Sequence, residues 1–269
     1  MTAPLIRVER DGAVVTLTLD DPQRRNAMSS AMGEAFAEQM ATLAGQPDLR
    51  AVVLTGAGSA FSAGGDMGML EDLARRGAER PGLARREIRD HMRGFYGLFL
   101  ALRDLPCPTL AAINGHAIGA GLCVALACDL RVASRDAKLG LNFTRLGLHP
   151  GMAATWTLPR LIGSARAAEL LYTGRLISGA EAAELGMVGR AVAPEEVLEV
   201  TRALAKEIAA AAPIAVAGVK RALARSAQAS LDDQLAFEAS EQARCFESRD
   251  VREGLAAARE RRDPRFEGR

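Results

Sequence analysis

Two glycine-rich segments hold the residues best placed for chemistry: Gly56-Ala57-Gly58-Ser59-Ala60-Phe61-Ser62-Ala63-Gly64-Gly65-Asp66 and Asn114-Gly115-His116-Ala117-Ile118-Gly119-Ala120-Gly121. Each follows a short run that reads as a buried strand, and each leads into helical sequence. At such junctions backbone N–H groups are unpaired and the helix dipole favours negative charge. One N–H from each loop can meet a single carbonyl oxygen, forming an oxyanion hole that stabilises charge developing there. Glycine suits the role because a side chain blocks close approach of a substrate to the backbone. The same spacing also reads as two tight turns that need positive φ. The first loop is not a dinucleotide fingerprint, because Phe61 stands where the third glycine of GxGxxG belongs. It is not a phosphate loop either, since no Gly-Lys-Ser/Thr follows. The second loop contains no GxSxG elbow, so a serine hydrolase finds no support.

The elements that must position these loops alternate along the chain. Ile6 to Glu9, the Asp11-Gly12 turn signal and Val14 to Leu19 read as a β-hairpin. Ser29 or Ser30 caps a helix whose Met32, Ala35, Phe36, Met40 and Leu43 share one face. Ala51 to Thr55 and Thr109 to Ile113 are short strands of the kind buried on both faces. Met69 to Arg103 reads as helical and charge-rich, and Leu122 to Ala127 as an apolar helix. Leu130 to Ala133 and Lys138 to Leu141 read as further strands, and Met187 to Val192 as a last one. From Ser164 the chain is mostly helical, with Ser178-Gly179-Ala180-Glu181 as a capping box. The pattern is α/β, strand-loop-helix units followed by a helical tail.

Composition removes several alternatives. Lys plus Arg is 34 and Asp plus Glu is 33, a net charge of +1 that excludes wrapping nucleic acid or binding an anionic membrane surface. In 269 residues, 49% hydrophobic and 25% charged content implies a globular chain with a sizeable core. The four cysteines (Cys107, Cys123, Cys128, Cys245) form no CxxC pair, so they read as reduced thiols of a cytoplasmic protein with no metal site. The start of the chain carries charge where a signal peptide needs an apolar core. The longest apolar and glycine run, Ala117 to Cys128, is far short of the roughly 20 residues a membrane span requires.

Phe61-Ser62-Ala63-Gly64-Gly65-Asp66 and Ala111-Ala112-Ile113-Asn114-Gly115-His116-Ala117-Ile118-Gly119-Ala120-Gly121 closely resemble the two signature segments of the enoyl-CoA hydratase/isomerase (crotonase) family. Arg24-Arg25-Asn26-Ala27-Met28 resembles the family's early loop, and Leu146-Gly147-Leu148-His149-Pro150-Gly151 its Gly-x-x-Pro-Gly turn. Gly174-Arg175 with Ala180 to Gly186, Glu253-Gly254 and the Arg265-Phe266 ending also fit, so the resemblance covers essentially the whole chain. It implies a crotonase-like ββα spiral core over 1–193 with an acyl-CoA pocket. It also implies a C-terminal helical region over 194–269 that packs into a homotrimer or a dimer of trimers.

The substrate implied is an acyl-CoA thioester, with no cofactor beyond the CoA it carries. Its carbonyl oxygen would accept N–H bonds from Gly65 and Ala120, stabilising a thioester enolate. Arg24, Arg25, Ala27, Ala63, Gly64, Asp66, Met67, Ile118, Gly119 and Leu146 would line the bound molecule, with the arginines near phosphate and Asp66 fixing its loop. Hydratases of the family place two glutamates in the pocket to activate water and protonate the α-carbon. The matching positions here are Cys123 and Phe143, neither of which is acidic. His149, in the closing turn, has the type of side chain a base requires. A histidine in the region of His91 occurs in a family branch that dehalogenates aromatic acyl-CoA, but the position of that branch's aspartate nucleophile is Gly151 here. The expected function is an enolate-stabilising acyl-CoA enzyme, nominally an enoyl-CoA hydratase. The alternatives are a 3-enoyl-CoA isomerase or a non-catalytic acyl-CoA-binding protein.

Overall fold

A computed structural model describes residues 4–269; the first three residues of the expected core lie outside it. The chain opens with β1 (Ile6–Asp11) and β2 (Val14–Leu19), then α1 (Ser30–Ala44), β3 (Ala51–Gly56) and the short β4 (Ala60–Ser62). Next come α2 (Met67–Glu79), α3 (Leu83–Leu100), β5 (Thr109–Ile113), β6 (His116–Ile118), α4 (Ala120–Ala127), β7 (Leu130–Ser134) and β8 (Lys138–Gly140). The remainder is α5 (Ala154–Ile162), α6 (Ser164–Thr173), β9 (Ile177–Ser178), α7 (Gly179–Glu184), β10 (Arg190–Val192), α8 (Val197–Ala210), α9 (Pro213–Ser226), α10 (Leu231–Glu247) and α11 (Arg249–Glu260).

The long strands form a six-stranded sheet ordered β1-β2-β3-β5-β7-β10, in which only the β1–β2 hairpin is antiparallel. The short ones form a second sheet ordered β4-β6-β8-β9. From β3 to β8 the chain alternates between the two sheets, one strand in each per turn, which is the ββα spiral implied by the loop segments. Period-2 alternation divides the long strands between two cores. Val14, Ala51, Val53, Leu110, Ala112 and Val132 pack with Val197 and Ala205, so α8 covers one face of the large sheet. Val15, Leu17, Val52, Leu54, Ala111 and Ile113 face the main core with Met32, Phe36 and Phe99.

Several elements differ from the sequence reading for identifiable reasons. The stretch read as helical from Met69 to Arg103 divides into two helices, α2 and α3, separated at Pro81 and at Gly82 with φ 85°. Proline and a left-handed residue cannot continue the hydrogen-bond ladder. The glycine loops each contain a three-residue strand, β4 and β6, too short to leave a periodic signature. The apolar helix begins at Ala120 rather than Leu122. Only half of the capping box forms: Ser178 Oγ accepts from Glu181 N at 3.0 Å, while the Glu181 carboxylate pairs with Arg175 at 2.7 Å. The α1 cap lies at Ser29, whose Oγ accepts from Met32 N at 3.2 Å.

Candidate active site

The first donor loop is held from below by a single buried side chain. Asn26, with no exposed surface, donates from Nδ2 to the carbonyls of Ala57 (2.9 Å), Ala60 (2.8 Å) and Phe61 (3.2 Å). Its Oδ1 accepts from Asp21 N at 2.9 Å. Backbone bonds then lace the two segments together, with Ala63 N donating to Arg25 O (2.9 Å), Met28 N to Gly64 O (2.7 Å) and Asp66 N to Met28 O (3.2 Å). Ser62 Oγ donates to Asn26 O at 2.7 Å and accepts from Gly64 N at 3.2 Å. Among the described residues, Gly65 N alone of this run is left without a partner. Asp66 caps α2, its Oδ1 accepting from Met69 N at 2.9 Å, so its carboxylate serves the loop.

The second loop repeats the device. Gly119 N donates to Gly140 O at 2.8 Å, and the next N–H, that of Ala120, opens α4 with no partner among the described residues. In both loops the free N–H directly follows a glycine in the positive-φ region: Gly64 at φ 97° precedes Gly65, and Gly119 at φ 52° precedes Ala120. The positive φ and the free amide thus fall at the same point of each loop. The loops touch here, since a Cβ on Gly64 would lie 2.6 Å from Ile118 O and 3.6 Å from Ala120 N. Asn114 braces this junction, its Oδ1 accepting from Gly56 N at 3.2 Å and its Nδ2 donating to Gly58 O at 3.1 Å.

Both free amides border a cavity of about 480 Å³. The donor loops contribute Ala63, Gly64, Gly65, Met67, Ile118, Gly119 and Ala120. Leu70 and Leu73 from α2, Ile88, Met92 and Tyr96 from α3, and Phe143, Leu146, His149 and Met152 close it with apolar surface. None of the lining residues is acidic, and Tyr96 and His149 are the two among them with an ionisable side chain. His149 Nδ1 lies 2.7 Å from Pro150 O. A carbonyl only accepts, so Nδ1 carries the proton, and in the neutral ring Nε2 keeps the free lone pair. Tyr96 is half-buried, and desolvation pushes its phenol above the usual tyrosine range.

Cys123 does not reach the cavity. It lies fully buried in α4 with its thiol 3.6 Å from Gly151 O, and burial pushes the thiol far above the ordinary value. Phe143 does line the cavity and brings only a ring. Arg24 and Arg25 are exposed beside the first loop, with Arg24 2.7 Å from Asp21 and 3.9 Å from Asp66. Ala27 is half-buried in the same loop and does not line the cavity. His91 is exposed on α3, and His116 Nδ1 accepts from Lys138 N at 3.0 Å, joining β6 to β8. Sequence reasoning did not single out Asn26, Asn114 or Tyr96. An asparagine inside a glycine-rich or left-handed loop was the available signal for the first two, and nothing in the spacing marked the third. Among the described residues, no group of three or more His, Cys, Asp or Glu side chains is arranged to hold a metal.

Two unpaired amides on residues that line one cavity, held between successive turns of a ββα spiral, point to the crotonase class of folds. The comparisons narrow this further. The family model described as enoyl-CoA hydratase/isomerase matches residues 9–269. The chain is 37% identical over 263 residues to human "Enoyl-CoA hydratase domain-containing protein 2, mitochondrial", covering 96% of this chain and 87% of that protein. It is 31% identical over 256 residues to the "Short-chain-enoyl-CoA hydratase" of Clostridium acetobutylicum, covering 95% of this chain and 94% of the relative. The crystal structure of an enoyl-CoA hydratase from Bacillus anthracis superposes with a TM-score of 0.89 at 35% identity, covering 98% of this chain and 100% of that one. The chain belongs to the enoyl-CoA hydratase/isomerase family.

Proposed function

We propose that the protein is an acyl-CoA enzyme that stabilises a thioester enolate through Gly65 N and Ala120 N, and that its reaction is the isomerisation of a 3-enoyl-CoA to the 2-enoyl form. The observation that carries the enolate is the pair of unpaired amides, each following a glycine of positive φ and each on a residue that lines the same cavity. Two backbone donors preset around one oxygen stabilise charge as it develops, without reorganising during the reaction. The absence of any acidic group from the cavity lining favours isomerisation over hydration. Hydration needs a water held and activated, which Cys123 in the core and Phe143 in the wall do not provide. Isomerisation needs only that a proton leave carbon 2 and one return to carbon 4. In this reading His149, an exposed residue of the lining with Nδ1 beside Pro150 O, offers Nε2 as the base for the first of these.

The second reading, hydration of a 2-enoyl-CoA, draws on the names of the relatives. Conjugated-thioester absorbance separates the two. With a trans-3-enoyl-CoA the absorbance is expected to rise, and with crotonyl-CoA at micromolar enzyme it is expected to hold steady. Loss of the crotonyl-CoA signal at a comparable rate would replace isomerisation by hydration. In this reading CoA is part of the substrate, Arg24 or Arg25 meets its phosphates, and no further cofactor is needed. The exposed Val219, Leu223, Leu235 and Phe246 on α9 and α10 support self-association of the helical region as a homotrimer or a dimer of trimers. The buried, unpaired Cys107, Cys123 and Cys128 support a cytoplasmic location.

A further inference from the structure

Resting on the enolate reading above, we propose that Tyr96 is the proton donor of this site, its phenol delivering the proton that returns to carbon. A Cβ on Gly151 would lie 2.4 Å from Tyr96 Oη, so the phenol occupies room that exists only because residue 151 has no side chain. The neighbouring Cys123 is also small, and its thiol lies 3.6 Å from the carbonyl of the same glycine. Tyr96 Oη therefore stands beside the first turn of α4. Cys123 is three residues beyond Ala120 on that helix.

The hydroxyl is also uncommitted. Among the described residues no polar atom hydrogen-bonds Tyr96 Oη, yet the group is not sealed in the core, since Tyr96 is a half-buried wall of the cavity. Desolvation keeps the phenol protonated at neutral pH, the form a donor requires. Asn142 is not an acid, and His149 becomes one only after it has taken the α-proton, so the phenol is the lining group that holds a proton from the outset.

The step balances with solvent water as the only proton reservoir. His149 Nε2 takes a proton from the α-carbon, and the C–H electron pair moves onto the thioester oxygen held by the two amides. The Tyr96 O–H bond then breaks toward carbon, the enolate pair forms the new C–H bond, and the carbonyl is restored. The phenolate takes a proton from water and the imidazolium returns one to it. In isomerisation the same delivery falls on carbon 4 of the dienolate.

The test uses hexanoyl-CoA in deuterium oxide, with mass spectrometry reading deuterium gained at the α-carbon. The full-length wild-type protein is expected to exchange. Tyr96→Phe keeps the ring and its edge contact to Phe95 at 6.5 Å, so it should bind hexanoyl-CoA within about twofold of wild type by calorimetry. It should exchange at least about a hundredfold more slowly, the lower end of what a positioned acid or base contributes. Gly151→Ala, which displaces the hydroxyl while leaving the tyrosine in the chain, should slow exchange likewise. Exchange by Tyr96→Phe within threefold of wild type would overturn the proposal and leave the enolate reading standing. No exchange by the wild type would overturn the enolate reading and this inference with it.

Discussion

Asn26 is the point at which the early loop and the first donor loop are joined, and its replacement tests the architecture without touching the cavity. Asn26→Ala removes one acceptor, for Asp21 N, and two N–H groups shared among three carbonyls. Three net hydrogen bonds at about 1 kcal/mol each give roughly 3 kcal/mol. Asn26 also has φ 54°, a conformation that asparagine tolerates better than alanine, which adds about 1 kcal/mol. The expected destabilisation is about 4 kcal/mol. For a domain of this size it corresponds to a fall in Tm of roughly 8 to 16 °C, at about 2 to 4 °C per kcal/mol. Scanning calorimetry at fixed protein concentration measures it. Asn26→Asp sharpens the test, because a carboxylate there would face three carbonyl oxygens with nothing to donate. Its folded-state pKa would be raised, so the variant keeps its stability at low pH and loses it as pH rises through that value. Its deficit should be larger at pH 8 than at pH 5. A fall of less than 3 °C for Asn26→Ala, or no pH dependence for Asn26→Asp, would show that the loops are held by their backbone bonds alone.

Gly64→Ala puts a methyl 2.6 Å from Ile118 O at φ 97°, so the Gly65 amide must turn away from the cavity. Steady-state kinetics should show kcat/KM down by about 10² to 10³, the cost of losing one preset donor, and a value within threefold of wild type would refute the assigned geometry. The buried thiols set an alkaline limit. Burial raises Cys107 to about 11 and Cys128 to about 12, and raises Cys123 as well. Because these values are raised in the folded state, their contribution is whole below the unfolded thiol value of about 8.5 and is lost as pH climbs toward 11. The urea midpoint should accordingly drop between pH 8 and pH 10, and an unchanged midpoint would contradict the burial of these groups.

The features legible in the sequence were those with a local physical signature. Val14 to Leu19, Ala51 to Thr55 and Thr109 to Ile113 declared themselves as strands by β-branched and apolar runs, and Ser29 as a cap ahead of a one-faced helix. Gly64-Gly65 and Gly119-Ala120 stood out through the resemblance of their segments, since their spacing alone reads equally as two tight turns. The acid/base side of the site was not legible. All eight residues of α4 are buried, so its sequence has no polar face, and no pattern could tell that Ala120 meets the cavity while Cys123 turns into the core. Tyr96 lies on α3, whose charge-rich sequence reads as solvated helix, and it joins the site only through tertiary packing against Gly151. The break at Pro81 and Gly82, which makes α2 and α3 two separate walls, was present in the sequence as a breaker pair inside a helical stretch.

The strand order of the large sheet has a consequence for how the protein is made. From β2 to β3, β5, β7 and β10 each strand pairs with the one laid down before it, so no later segment must be inserted between earlier ones. A chain leaving the ribosome from its N-terminus can add each turn to a finished edge, which limits the time that unpaired strand edges are exposed to other chains. Gly119 N finds its partner at Gly140 O, so the second donor can be fixed once β8 has emerged, well before the C-terminal helices. Nascent chains stalled beyond that point would be expected to carry the two amides already in place, with the helical region still to come.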